Sequence, residues 1–109
     1  MKTIFWVGSS RDMLRSFPVE VRRRAGHELD RVQRGMEPSD WKPMPSIGAG
    51  IREIRIYDKG GYRIIYIARF EEAVYVLHVF RKQSKATSKK DITLARNRLH
   101  TVIKSRQPL

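Results

Sequence analysis

Residues 51–80 read IREIRIYDKGGYRIIYIARFEEAVYVLHVF, and their period decides the fold. Apolar and polar residues alternate from Ile51 to Tyr57, which predicts a strand with one face buried. Asp58-Lys59-Gly60-Gly61 follows as a turn, where the two glycines adopt positive φ at no steric cost. Tyr62 to Phe70 is a second strand, Glu71-Glu72 a second turn, and Ala73 to Phe80 a third strand. Three strands joined by short turns form an antiparallel meander.

Working outward, the segment before the meander, residues 35–50 (GMEPSDWKPMPSIGAG), is rich in Pro and Gly and reads as one long loop. Trp41 is expected to plug that loop onto the core. Upstream, Val21, Ala25, Leu29 and Val32 recur at spacings of four, four and three, which makes an apolar stripe on a helix over 18–34. Pro18 suits its first turn and Gly35 its stop. Arg22, Arg23, Arg24, Arg31 and Arg34 face away from the stripe as a solvated surface. A shorter helix over 11–16 and a strand over 2–7 complete the N-terminal part. Downstream, Thr87 or Ser88 caps a last helix whose apolar face holds Ile92, Ala95, Leu99, Val102 and Ile103. The expected fold is α+β: an N-terminal strand, two helices, a three-strand meander and a C-terminal helix, in two layers with the helices on one side of the sheet.

The length of 109 residues fits a single domain, 1–109. There is no cysteine, which excludes disulfides, thiol nucleophiles and Cys-ligated metal sites. No apolar run approaches the ~20 residues that span a bilayer. The apolar stretch Ile4 to Val7 is too short for a signal-peptide core, so a cytoplasmic location is expected. The strongest global signal is charge, with 23 Lys and Arg against 11 Asp and Glu. The excess is concentrated after residue 50, where 14 basic residues meet 5 acidic ones. Such a half points to a polyanion, above all nucleic acid.

Alternation assigns the charges to faces. Ile51, Glu53, Arg55 and Tyr57 share one face of their strand, and Arg63, Ile65 and Ile67 share one face of the next. If Ile64 and Tyr66 lie under the helices, Arg63 stands on an open sheet face with Glu53 and Arg55. Arg81 and Lys82 arrive at the end of the third strand. Lys85, Lys89 and Lys90 follow in RKQSKATSKK, which has five basic residues and no acid. Arginine forks match phosphate oxygens. RNA brings its own nucleophile, the 2′-hydroxyl, so cleavage needs only positioning, proton movement and charge stabilisation at phosphorus, with no metal and no cofactor. His27, His78 and His100 fall in different elements without metal-ligand spacing. Two bland readings stand beside these: Arg63 as a mere cross-strand partner of Glu53, and His78 as a hydrogen-bonded histidine of the sheet.

WVGSSRDMLRSFP, WKPMPSIGAGIREIRI, YRIIYIARF and VYVLHVFRKQSKAT, in that order over nearly the whole chain, resemble the phage-derived HigB-like branch of the RelE/ParE toxin superfamily. The resemblance implies a toxin of a type II toxin–antitoxin system, partnered by an antitoxin that often carries a helix-turn-helix. RelE-like members cleave mRNA on the ribosome without a metal, whereas ParE-like members poison DNA gyrase. Arg63 matches the middle-strand arginine of the RNA-cleaving relatives, Arg81 or Lys82 their second cation, and Glu53 the acidic base of some. Many relatives carry a Tyr or His shortly after the last strand. Here that region has neither, so proton transfer falls to Lys82, Lys85, Glu53 or His78. The alternative is a ParE-like inhibitor or a nucleic-acid-binding module without chemistry.

Overall fold

The computed structural model describes residues 1–106; the QPL tail lies outside the described residues. The elements run β1 (Thr3–Trp6), α1 (Ser10–Arg15), α2 (Val19–Gln33), β2 (Trp41–Pro43), β3 (Ile51–Tyr57), β4 (Gly61–Ile67), β5 (Ala73–Arg81) and α3 (Lys89–Arg106). The strands form one sheet in the order β1-β5-β4-β3-β2. The expected meander is there, with Tyr57 opposite Gly61 across the β3–β4 turn. Positive φ in that turn falls on Lys59 and Gly60 rather than on both glycines. β1 lies parallel to β5 at one edge, with Thr3 opposite Ala73.

The expected α2 stripe is the one that packs. Val21, Ala25, Leu29 and Val32 are buried against Ile54, Ile64, Tyr66, Val74 and Val76. Each buried Val, Leu or Ile among them is worth about 1.5–3 kcal/mol when taken from water. Pro18 precedes α2 at φ −53° and ψ 149°, one position earlier than expected.

Two expectations need correction. The α+β class and the element order hold, but the helices are not on one side. Ala95, Leu99 and Val102 of α3 pack on Ile51, Ile65, Ile67 and Leu77, the face opposite α2. The sheet is therefore covered on both faces. The physical reason is visible in β4 and β5, which are apolar on both sides and cannot leave either in water. The long loop, secondly, contains β2: Trp41 pairs with Ile54, Lys42 with Glu53 and Pro43 with Arg52. Pro43 is tolerated because β2 is the outermost strand and ends there. Trp41 does not plug the core; half-buried, it carries the Arg52 guanidinium 4.1 Å from its ring centre.

Candidate active site

Register gathers the charged residues. Arg55 lies opposite Arg63, and Glu53 opposite Ile65. On the other side of β4, Arg63 faces Phe80 and Ile65 faces His78. A bulge in β5 shifts the register between Ile65 and Tyr66, where Tyr66 pairs with Val76. One extra residue on β5 turns both Leu77 and His78 toward α3. Lys42, Glu53, Arg55, Arg63 and His78 thus share the face that α3 partly covers.

At the centre is a buried ion pair. Glu53 is 1% exposed and Arg63 7%. Arg63 Nε lies 3.4 Å from Glu53 Oε1, and its Nη1 donates to the Tyr62 carbonyl at 3.0 Å. Lys42 Nζ approaches the same Glu53 oxygen at 3.9 Å. The Thr87 hydroxyl donates to Glu53 Oε2 at 2.7 Å. Desolvation lowers the Arg63 pKa, with the Glu53 charge opposing it. The sheet face is therefore not open at this point, as the sequence suggested, because residues 82–88 and the start of α3 fold over it and Thr87 ties them down. Such a pair holds geometry: two charges removed from water cost several kcal/mol each, which only close partners offset.

Lys82 joins this pair. Its backbone N–H donates to the Gly61 carbonyl at 2.7 Å, extending the β5 ladder by one residue. A Cβ at Gly61 would lie 3.3 Å from Arg63 Nη1 and 3.5 Å from Lys82 Cβ, so the bare glycine makes room for both. Lys82 as a residue is half-buried, and its pKa is lowered by desolvation first and by the Arg63 charge second. Arg55 is exposed on the same face, 4.0 Å from Asp40.

Arg81 does not belong to the group. It pairs with Tyr62 and its guanidinium sits 5.9 Å over the Tyr62 ring, on the α2 side. Adjacent residues on a strand point to opposite faces, so only one of Arg81 and Lys82 could have reached Arg63. Lys85, Lys89 and Lys90 are exposed in the covering segment and the first turn of α3. Among the described residues none of them pairs with Glu53.

His78 anchors the start of α3 to the sheet. Its Nε2–H donates to Asp91 Oδ1 at 2.8 Å, with the tautomer assigned from that partner. Ser88 Oγ donates to Asp91 Oδ2 at 2.6 Å and accepts from the Asp91 N–H at 3.1 Å, so Ser88 caps α3. The His78 ring stacks on Phe80 at 4.9 Å. Burial lowers its pKa, and Asp91 opposes that. Thr87 on Glu53 and Asp91 on His78 thus close the basic segment onto the sheet. Lys42 and Thr87 escaped the sequence reading: Lys42 because three residues ending in Pro carry too little alternation, Thr87 because a helix-cap role accounted for it. Among the described residues no three His, Asp or Glu side chains gather as a metal set.

The arrangement offers a half-open row of cations, Lys42, Arg55 and Lys82, set over a buried Glu53–Arg63 pair. It can bind a phosphodiester and stabilise added charge on it. No curated protein matches the chain. Residues 12–100 match the family described as phage-derived protein Gp49-like (DUF891), and with most of its length inside that match the chain belongs to the Gp49-like family of phage-derived proteins.

Proposed function

We propose that this chain is the toxin of a type II toxin–antitoxin system, of the HigB-like branch of the RelE/ParE superfamily. In this reading it is a metal-independent endoribonuclease that cleaves mRNA on the ribosome in the cytoplasm and is neutralised by a cognate antitoxin. The observation that supports it best is the placement of Lys82 beside Arg63, above a carboxylate that holds the arginine still.

In the reaction the RNA 2′-oxygen attacks the adjacent phosphorus. The O2′–P bond forms, the P–O5′ bond breaks, and the 2′-proton leaves as the 5′-oxygen gains one. Lys82, Arg55 and Arg63 hold the phosphate and stabilise its extra charge. Lys82, its ammonium destabilised by its surroundings, is suited to proton transfer. Glu53 acts through Arg63 and Lys42 rather than as a base, since it is enclosed. Lys85, Lys89 and Lys90 contribute longer-range attraction for RNA.

A non-catalytic ParE-like reading draws support from the same enclosure of Glu53 and from the lack of Tyr or His in RKQSKATSKK. Primer extension on mRNA after induction separates the two. New 5′ ends within codons, lost in Lys82→Ala, are expected. Intact mRNA together with a DNA-damage response would overturn the nuclease reading.

A further inference from the structure

On the side of the sheet away from the Glu53–Arg63 pair, a cleft of about 330 Å³ opens between the end of α2 and the ends of β3 and β4. Val32, Met36 and Ala68 supply apolar wall, while Lys2, Arg52 and Arg69, with one carboxylate, Glu37, stand around it. Two polar side chains face it, and one of them lacks a hydrogen-bond partner. Tyr66, 1% exposed, has a buried hydroxyl with no hydrogen-bond partner among the described residues. Arg52 is half-buried, and its nearest carboxylate is Glu37 at 4.0 Å, too far for a hydrogen bond. Its guanidinium carbon lies over the Trp41 ring, 4.1 Å from the ring centre. A buried phenol left unpaired costs about 1–3 kcal/mol, which native proteins seldom leave uncompensated.

The cleft is also built for access. Gly50 has φ +79°, and a Cβ there would lie 2.9 Å from Arg69 Cδ, so the bare backbone lets the arginine stem lie along the rim. Gly35, at φ +82°, likewise adds no side chain to the lining. Volume and lining are those of a small-molecule site with an apolar body and a few convergent polar groups.

We infer that this cleft binds a small organic carboxylate, its carboxylate accepting from the Tyr66 hydroxyl and the Arg52 guanidinium and its apolar body lying against Val32, Met36 and Ala68. Burial keeps the Tyr66 hydroxyl protonated and able to donate. One hydroxyl and one planar guanidinium fit the two oxygens of a carboxylate. The site is independent of the proposed nuclease reaction, because Arg52 and Glu53 are neighbours on β3 and point to opposite faces.

The test is an amide NMR titration of the full chain with benzoate, using benzamide as the uncharged control and acetate as the control without an apolar body. Benzoate is expected to give saturable shifts at Gly35, Gly50, Ala68 and Arg69, with acetate weaker and benzamide inert there. Tyr66→Phe is expected to weaken benzoate about tenfold or more, the loss of a charge-assisted hydrogen bond. Arg52→Gln reads the second contact and serves if Tyr66→Phe does not fold. Unsaturable drift over the whole basic surface, equal response to benzamide, or unchanged affinity in a folded variant would each overturn the proposal.

Discussion

Arg63 points its Nε at Glu53 Oε1 across 3.4 Å, with the carboxylate enclosed and the arginine nearly so. The pair is cross-strand and diagonal, since Arg63 lies directly opposite Arg55 and Glu53 directly opposite Ile65. Two like charges therefore face each other across the ladder, and Glu53 relieves the inner one while Asp40 stands 4.0 Å from the outer one. Stability and proposed activity meet at this carboxylate.

Glu53→Gln removes the charge and leaves Arg63 buried without its counter-ion. A loss of about 3–5 kcal/mol is expected in urea unfolding. Arg63→Ala should cost a similar amount, so loss of toxicity in that variant alone would not separate chemistry from folding. A change under about 1 kcal/mol in both would show that the pair is screened by water.

Lys82→Ala separates them. The side chain is half-buried at the mouth of the site and makes no ion pair among the described residues. Stability should stay within about 0.5 kcal/mol of wild type. RNA cleavage should fall about a hundredfold, the effect of losing one charge-stabilising donor. Toxicity equal to wild type would place the chemistry elsewhere.

His78 sets a pH dependence. Its folded pKa lies below the ordinary value of about 6.5, so the unfolded chain binds more protons in the interval between the two. Stability is fully present above about pH 6.5 and falls as pH drops through the folded pKa. Urea midpoints from pH 7 to pH 5 should decline in wild type and flatten in His78→Gln. Glu72, held at about 2 by Arg106, titrates in a lower window and does not confuse the reading.

Tyr66→Phe deletes an unpaired buried hydroxyl and leaves the ring. An increase in stability of about 1 kcal/mol is expected by thermal unfolding. A decrease would mean that the hydroxyl has a partner in solution.

The meander and the α2 stripe were legible because each obeys one clean period. Glu53, Arg55, Arg63 and Lys82 were readable as a cluster for the same reason, given alternation along β3 and β4. The side of the sheet taken by α3 was not read, although the signal was there. Ile64, Ile65, Tyr66 and Ile67 are consecutive and apolar, which a strand with one wet face does not tolerate. The bulge at Leu77–His78 leaves no mark in AVYVLHVF, since both neighbours of His78 are apolar and any register is hydrophobic. Arg81, expected beside Arg63, lies on the α2 side because parity along β5 gives that place to Lys82.

The parallel pairing of β1 with β5 has a consequence for synthesis. Thr3–Trp6 hydrogen-bonds to residues 73–76, far downstream of it in the chain. During synthesis β1 must wait, unpaired with this partner, until β5 has emerged. The segment that closes Thr87 onto Glu53 and Asp91 onto His78 comes later still. A nascent chain that has not yet reached Thr87 and Asp91 therefore lacks the contacts that close the covering segment over the Glu53–Arg63 pair.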